Sequence, residues 1–350
     1  MEKPQSIKVL VTGATGYIAS WIVKYLLEEG YNVIGTVRDK SDKNTLKLRA
    51  LTSNLPGSLS IVEANLLKEG SFDEAIKDCS VVFHTASPFK TKFKNADEEL
   101  LKPALIGTQN ILSAVNKYDN IKRVVHTSSC AAILGDNKDL FNYPNQIADE
   151  SCWNVTSSEK HNPYSFSKVL AEQYGWRLHG EQSRWSLVTI NPSLVIGPSC
   201  IDRFESESFQ MMKQYLSGAF LFGVPDYSVG LVDVRDVAKA HIKVAFSLEY
   251  QGRYIISATN TNLSALGRAL KLAFPSEVKF INFKVPRIVI ALIGRFISKV
   301  MTYRFVMNNI GYPWKTSNQK SIRELGIQYR EAERSAQEMI QQVIDSRKKR

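Results

Sequence analysis

The pattern of hydrophobic and polar residues predicts strands that alternate with helices along most of the chain. Short apolar runs bounded by polar residues predict strands at residues 7–12, 31–37, 59–64, 81–84, 122–127, 186–191 and 252–258. Stretches in which apolar residues recur every three or four positions predict helices at residues 18–29, 71–77, 97–117 and 163–179. This alternation is typical of an α/β fold with a doubly wound parallel sheet.

The first predicted strand runs into a short glycine-rich turn and then into a helix. Gly13 and Gly16 are three residues apart, and Ala19 stands where a third small residue lets the helix pack closely on the strand. A nucleotide phosphate needs free backbone N–H groups and the positive end of a helix dipole, and this order of elements supplies both. The segment therefore predicts a dinucleotide-binding site. Taken alone, the motif also fits an ordinary turn between a strand and a helix.

The later part of the chain is less regular, and its pattern predicts a second, smaller unit. We expect residues 1–195 to form the dinucleotide-binding domain, with its core completed by residues 230–260. Within that completing segment, residues 230–246 are predicted as a turn followed by a helix. We expect the remaining residues, 196–229 and 261–350, to form a substrate-binding lobe.

One stretch of this lobe, Ile288 to Val300, is apolar enough to raise the question of a membrane. Arg295 and Lys299 interrupt it, so it is too short and too charged to span a bilayer. We expect it to be buried in the lobe, without membrane association. A helix that lies in the plane of the membrane interface is the alternative.

Composition and charge are those of an ordinary globular protein, with 44% hydrophobic and 23% charged residues. The net charge of +11 suggests nucleic acid as one partner, but lysines cluster only at Lys90–Lys94 and basic residues at Arg347–Arg350. We therefore interpret the charge as a basic surface with a solvated tail, and we expect no nucleic-acid partner. The four cysteines and five histidines show no metal-ligand spacing, so no metal is expected. Because Met1–Ser6 is short and polar, we expect no signal peptide and a cytoplasmic location.

Arg38 directly follows the second predicted strand. In a dinucleotide fold, a carboxylate at this point holds the hydroxyls of the adenosine ribose, whereas an arginine suits a 2′-phosphate. Asp39 competes for this role, but the first residue after the strand has the better reach. The sequence therefore predicts NADP (as NADPH) in preference to NAD.

Two tyrosine–lysine pairs are spaced four residues apart, Tyr118/Lys122 and Tyr164/Lys168. The first lies in a polar connection that leads into a strand, so its side chains do not share a helix face. The second lies on one predicted helix, where such side chains are neighbours. A serine that polarises a carbonyl, a tyrosine that supplies a proton and a lysine that lowers the pKa of the tyrosine form a complete reduction site. A surface pair on an amphipathic helix is the alternative.

Ten segments, in the same order along residues 5 to 260, resemble the extended short-chain dehydrogenase/reductases, which belong to the NAD-dependent epimerase/dehydratase family. The segments are VTGATGYIASWIVKYLLEEGY, TVRD, VFHTASP, KPALIGTQNIL, VVHTSS, DESCW, YSFSKVLAE, INPSLVIGP, VDVRDVAKAH and GRYIISA. The branch they resemble contains dihydroflavonol reductases, cinnamoyl-CoA reductases and yeast-type aldehyde and ketone reductases. The resemblance implies a Rossmann-type fold with a smaller C-terminal substrate-binding lobe.

The resemblance also implies roles for individual residues. Catalysis would belong to Ser129, Tyr164 and Lys168, with Ser128 as the less favoured serine. The implied cofactor contacts are Gly13, Thr15, Gly16, Tyr17, Ile18, Arg38, Asn65, Leu66, Thr85, Ala86, Ser87, Tyr164, Lys168, Pro192, Val195 and Ser208. The chain departs from the family at Asn65, where an aspartate is common, and at Asn44, where a basic residue usually supports the arginine.

The implied substrate is a small-molecule carbonyl compound, an aldehyde or a ketone. Flavonoid reductases place an asparagine five residues after the catalytic serine, but this chain has Leu134, and the preceding apolar residues predict an apolar rim. The signature of the cinnamoyl-CoA reductases is also absent. The alternatives to a carbonyl reductase are a 3β-hydroxysteroid dehydrogenase, a nucleotide-sugar epimerase or dehydratase, and a non-catalytic NAD(P)-binding sensor. The chain is expected to be a monomer or a homodimer.

Overall fold

A computed structural model describes residues 4–87, 93–297 and 299–348. Parts of five sequence features lie outside these residues: the amino-terminal segment, Pro88 of the VFHTASP motif, the lysine run after it, Ser298 of the apolar stretch at 288–300 and the last two basic residues. A seven-stranded sheet, parallel throughout, has the order β3-β2-β1-β4-β5-β6-β10. Its strands are β1 (Lys8–Val11), β2 (Asn32–Val37), β3 (Ser58–Glu63), β4 (Val81–His84), β5 (Arg123–Thr127), β6 (Ser186–Pro192) and β10 (Gly252–Ile256).

Helices cover both faces of this sheet, as the alternating pattern predicts, and the α/β fold is confirmed. They are α1 (Tyr17–Glu28), α2 (Lys43–Thr52), α3 (Asp73–Ile76), α4 (Lys102–Val115), α5 (Pro163–Gly180) and α7 (Val234–Ala245). A π-helical turn, Asp97–Leu101, precedes α4, which continues through Gly107. The strand order reverses between β1 and β4, and ligands of such sheets bind at the carboxyl ends of the strands beside this point.

The later part of the chain adds a lobe beside the sheet. Its strands are β7 (Leu194–Ile196), β8 (Val224–Pro225), β9 (Ser228–Asp233), β11 (Thr259–Asn262) and β12 (Lys284–Val285). Its helices are α6 (Glu207–Ser217), α8 (Leu263–Ala273), α9 (Arg287–Ile297), α10 (Tyr303–Asn309), α11 (Gln319–Leu325) and α12 (Ala332–Lys348). Side chains of α6, α8 and α12 share one buried core that includes Phe209, Leu266 and Met339.

Two expectations for this part of the chain are wrong. Residues 230–233 form the end of strand β9, rather than a turn. The glycine at Gly230 is needed for packing, because a Cβ there would lie 2.8 Å from Ser257 Oγ and from Trp314 Nε1. The apolar stretch around α9 is buried on one side only, because Ile290 is 6% exposed whereas Leu292 and Phe296 are 69% and 91% exposed. No helix within the described residues is both long and apolar enough to cross a bilayer.

Candidate active site

The turn after β1 is shaped by two glycines. Gly13 has a φ of +65°, and a Cβ there would lie 3.1 Å from the Cβ of Ala86. Gly16 is the N-cap of α1 and provides no side chain to the first turn of that helix. Because the N–H groups of the first turn lack a side-chain cap, the backbone at the half-buried Tyr17 and Ile18 can receive an anion. The Thr15 carbonyl accepts a hydrogen bond from the Arg203 guanidinium at 3.1 Å.

Hydrogen bonds of Thr12, the residue before Gly13, join the turn after β4 to the glycine turn at residues 13–16. The Thr12 hydroxyl accepts hydrogen bonds from the N–H groups of Thr85, at 3.0 Å, and Ala86, at 2.9 Å. The Thr85 hydroxyl in turn donates to the Thr12 carbonyl. Ser87 follows, half-buried, at the same edge. Thr12 is not among the predicted site residues, although a threonine at the end of an apolar strand, beside the first glycine, is a recognisable signal.

Arg38 and Asn65 lie at the carboxyl ends of neighbouring strands. Residues Val37 and Glu63 are partners in the register of β2 and β3, so the residues that follow them emerge at one edge. Arg38 is exposed there. Asp39 is engaged locally, because its carboxylate accepts hydrogen bonds from the N–H (2.8 Å) and hydroxyl (2.6 Å) of Ser41. The arginine is therefore the better placed of the two residues to meet a phosphate.

The residues after β3 continue this edge of the sheet. The Asn65 side-chain oxygen accepts a hydrogen bond from the Leu67 N–H at 2.9 Å, which closes a tight turn. Leu66 packs toward α4, where a Cβ on Gly107 would lie 3.2 Å from its side chain. Asn44, at the position where the family often has a basic residue, is 5% exposed in α2.

The structure brings Ser129, Tyr164 and Lys168 together. The Ser129 side chain hydrogen-bonds the Tyr164 hydroxyl and also accepts from the Ala131 N–H at 3.1 Å. Tyr164 and Lys168 are one turn apart on α5, and the Lys168 Nζ lies 6.0 Å from the centre of the tyrosine ring. The same ammonium donates a long hydrogen bond, 3.5 Å, to the Thr127 carbonyl. All three side chains thus lie beside the carboxyl end of β5.

Ser128 points into a different environment. Its hydroxyl donates to the carboxylate of Glu172, which is 0% exposed. That carboxylate also accepts from Arg253 Nε at 2.6 Å and from Asn191 Nδ2 at 2.8 Å. Asn191 reaches the Ser129 carbonyl as well, at 3.2 Å. This buried network, which the sequence pattern does not predict, fixes the turn behind the Ser129 side chain.

Burial shifts the pKa of both titratable groups of the site. It raises the pKa of the Tyr164 phenol to about 12, and the hydrogen bond with Ser129 opposes the shift. It lowers the pKa of the Lys168 ammonium to about 8, and the Glu172 carboxylate opposes the shift. In the chain by itself the net pKa shift of Tyr164 is therefore upward, because desolvation outweighs the hydrogen bond with Ser129. The lowering of this pKa by Lys168 stays a prediction for the chain with its cofactor.

The competing pair, Tyr118 and Lys122, lies at the opposite edge of the sheet. The Lys122 N–H donates to the Ser80 carbonyl before β4, and its ammonium donates to the Asp119 backbone carbonyl at 2.7 Å. Tyr118 and Lys122 therefore lie near the amino ends of β4 and β5, whereas the turn that carries Gly13 lies at the carboxyl ends of the strands. This pair does not join the site.

The apolar residues after Ser129 do not form a rim. Cys130, Ile133 and Leu134 are each no more than 1% exposed and share a small core with Ile255. The sequence-based inference of an apolar substrate rim at these positions is wrong, because their side chains turn inward and pack under the 130–134 turn.

The remaining predicted contacts lie where the sheet meets the lobe. Pro192 ends β6, and Val195, in β7, is 8% exposed. Ser208 is 5% exposed in the first turn of α6. The Phe209 ring beside it meets the Tyr17 ring edge-on at 5.4 Å between centroids. The start of α6 therefore adjoins the start of α1.

Known proteins resemble this chain over most of its length. Tetraketide alpha-pyrone reductase 1 of Arabidopsis thaliana is 35% identical over 354 residues, which cover 97% of this chain and 95% of that protein. Cinnamoyl-CoA reductase CAD2 of Medicago truncatula is 38% identical over 77% of this chain and 81% of its own length. The crystal structure of Gre2 from Candida albicans in complex with NADPH has a TM-score of 0.79 at 30% identity, covering 97% of this chain and 99% of its own.

A family profile gives the same assignment as these relatives. The profile described as "NAD dependent epimerase/dehydratase family" matches residues 9–256, from β1 to the end of β10. The matched region includes the glycine turn and the residues gathered around Tyr164. The resemblance inferred from the ten sequence segments is thereby confirmed. The chain belongs to the NAD dependent epimerase/dehydratase family.

Proposed function

We propose that this chain is an NADPH-dependent reductase that acts on an aldehyde or a ketone, with Ser129, Tyr164 and Lys168 as its catalytic residues. The observation that carries the proposal is the hydrogen-bonded Ser129–Tyr164 pair with the Lys168 ammonium beside it, at the edge where the glycine turn opens. Relatives that cover most of the chain are named reductases, and the similar Gre2 structure was solved with NADPH.

The residues present fit a dinucleotide. Side chains at Gly13 and Gly16 would crowd the turn, since their Cβ atoms would lie 3.1 Å from Ala86 and 3.0 Å from the Gly13 carbonyl. Their absence leaves room for a diphosphate against the uncapped first turn of α1. Arg38 would hold the 2′-phosphate, with Asn65 toward the adenine, while Pro192 and Val195 would lie toward the nicotinamide. Ser208 would contact the cofactor beside the start of α1. When bound, NADPH supplies a hydride.

The side chains of the chain would then manage the oxygen and the proton of the substrate. The Ser129 and Tyr164 hydroxyls can both donate to a carbonyl oxygen, which polarises the C=O bond. As the carbonyl carbon is reduced, the Tyr164 phenol transfers its proton to the developing alkoxide. Because burial raises the pKa of this phenol to about 12, it is protonated at neutral pH, as a proton donor for reduction must be.

Lys168 has a positioning and an electrostatic role in this proposal. Among the described residues, its ammonium makes one long hydrogen bond, 3.5 Å to the Thr127 carbonyl, although it can donate three. The remaining donors can hold a ribose hydroxyl of the cofactor. The positive charge also stabilises the phenolate that Tyr164 becomes after proton transfer. We further assign residues 196–229 and 261–350 to the lobe that receives the substrate.

The test is a panel of aldehydes and ketones in which NADPH oxidation is followed by absorbance. We expect turnover of at least one carbonyl substrate, and we expect Tyr164→Phe to abolish that turnover while fluorescence still reports NADPH binding. A wild-type chain that binds NADPH but oxidises it with no member of the panel would favour a sensor. Retained reductase activity in Tyr164→Phe would remove the mechanism.

A further inference from the structure

Helix α9 presents an apolar face to the surface of the lobe. Its inward positions are Ile290, Ala291 and Gly294, which are buried against the body of the lobe. Its outward side chains are large and apolar, with exposed fractions of 69% for Ile288, 43% for Val289, 69% for Leu292, 47% for Ile293 and 91% for Phe296. Apolar patches of this kind on a protein surface mark contacts with other molecules.

Neighbouring segments enlarge this apolar face. Phe283, 55% exposed, precedes α9, and Tyr303, 66% exposed, begins α10, which packs against α9. The Phe283 ring lies 2.9 Å from where a Cβ on Gly223 would be, next to Phe222, which is 91% exposed. We call the exposed apolar residues of this region the α9 patch: Phe222, Phe283, Ile288, Val289, Leu292, Ile293, Phe296 and Tyr303.

The segment that carries α9 and most of the α9 patch is strongly basic, although one of its lysines, Lys284, forms an ion pair with Asp226 at 3.0 Å. Between Glu277 and Glu324 the sequence has no acidic residue, whereas it has nine basic ones. They are Lys279, Lys284, Arg287, Arg295, Lys299, Arg304, Lys315, Lys320 and Arg323. This segment of 46 residues therefore carries a formal charge of +9, most of the net charge of +11 of the whole chain. Arg295 is exposed within α9 itself, and Lys299 is exposed just beyond it.

We propose that the α9 patch docks on the surface of a membrane that contains anionic lipids. A helix with an aliphatic and aromatic face and with arginine and lysine around it lies in the plane of the membrane interface. Buried apolar area and attraction to anionic headgroups both contribute to such binding. The proposal goes beyond the reductase assignment and does not depend on it.

A second copy of the chain is a poorer occupant of the same patch. In a symmetric dimer the same surface meets itself, so this basic segment would face its own copy without an acidic residue of the segment to offset it. Like charges placed opposite each other oppose association. An anionic surface matches both the apolar side chains and the positive charge.

Docking through the α9 patch would place the candidate active site near the lipid surface. The Lys299 ammonium donates to the Phe93 carbonyl at 3.1 Å, on the segment that follows the turn after β4. In α10, Asn309 Nδ2 donates to the buried Asp136 carboxylate at 2.7 Å, on the segment that follows Ser129. Both contacts connect the α9 region to segments that leave the carboxyl edge of the sheet.

The experiment is co-sedimentation of the purified chain with two kinds of vesicle, phosphatidylcholine alone and phosphatidylcholine with about a third phosphatidylserine. We expect binding to the anionic vesicles that weakens as salt is added. Leu292→Glu should reduce the binding constant by about tenfold or more, because it places a charge where the proposal has an exposed leucine enter the membrane interface. The matched control is Leu248→Glu, since Leu248 is 64% exposed but lies after α7, outside the basic segment.

Two further variants separate the contributions and guard against misfolding. Arg295→Glu should weaken binding to anionic vesicles by about fivefold for each unit of charge, without affecting the small binding to neutral ones. Phe296→Ser repeats the apolar test at a side chain that is 91% exposed, and melting curves should match those of the wild type. A wild type that ignores anionic vesicles, or equal binding by Leu292→Glu and Leu248→Glu, overturns the proposal. Sedimentation velocity completes the test, because a dimer that Leu292→Glu dissociates, with no vesicle binding, assigns the patch to a second copy.

Discussion

Substituting each of the two adjacent serines with alanine should separate catalysis from stability. The Ser129 hydroxyl contacts Tyr164, so Ser129→Ala removes a donor from the carbonyl site. We expect turnover to fall by roughly 10² to 10⁴, the range for a positioned acid–base or oxyanion group. The stability cost should be about 1 kcal/mol, because the hydroxyl also caps the short helical turn at Ala131.

Ser128→Ala should give the opposite pattern. The Ser128 hydroxyl donates to the fully buried Glu172 carboxylate, and alanine leaves that charge with one partner fewer. A hydrogen bond to a charged group contributes about 1.5 to 3 kcal/mol, so unfolding should become easier by that amount. Arg253 and Asn191 continue to hold the carboxylate, and turnover should therefore fall far less than in Ser129→Ala.

The assay pairs steady-state NADPH oxidation, on the best substrate of the carbonyl panel, with urea unfolding of the same preparations. We expect opposite rankings in the two measurements: Ser129→Ala should lose more turnover, and Ser128→Ala should lose more stability. Greater loss of turnover in Ser128→Ala would show that Ser128, and not Ser129, acts on the substrate. Equal losses of turnover in the two variants would show that the turn at residues 128–129 supports activity only through its structure, with no separate catalytic role for Ser129.

Three further predictions follow from the same site. Arg38→Asp should raise the KM for NADPH far more than the KM for NADH, and equal changes would remove the 2′-phosphate role. Tyr164→Phe should abolish turnover while Tyr118→Phe, at the opposite sheet edge, leaves it unchanged; loss in both would point to a general packing defect. Burial lowers the pKa of Lys168 to about 8, below its unfolded value of about 10.4, so the unfolded chain binds more protons between these pH values and stability should rise with pH there. In Lys168→Met the stability should rise less between these pH values than in the wild type. Urea midpoints of both proteins, measured at about pH 7 and about pH 9.5, would reveal the difference.

The topology of the sheet explains why much of the candidate site could be predicted. Every strand of the main sheet is parallel, so the residues after each strand emerge at one edge. Gly13, Arg38, Thr85 and Ser129 each follow a strand that the hydrophobic pattern identifies, and that pattern alone places them together. The choice between the two tyrosine–lysine pairs follows instead from helix geometry, because only Tyr164 and Lys168 share a helix face.

The buried polar network could not be predicted in this way. Arg253 stands in an apolar strand, and Glu172 stands on a helix where a charged residue usually faces solvent. Their pairing across 81 positions of sequence depends on β10 lying beside β6, which the local pattern does not specify. Sequence reasoning therefore finds residues at strand ends and misses those whose partners come from a distant strand.

The two errors about apolar residues share one physical cause. Hydropathy states which side chains gain from leaving water, but not whether the fold provides a surface to cover them. Leu134 finds such a surface beside Ile255 and is buried, where a substrate rim was expected. Leu292 finds no such surface. Helices α6, α8 and α12 already close the lobe core around Phe209, and α9 contacts its neighbours only through its inward face. An apolar side chain left outside a completed core still gains from leaving water, and this gain drives the membrane docking proposed here.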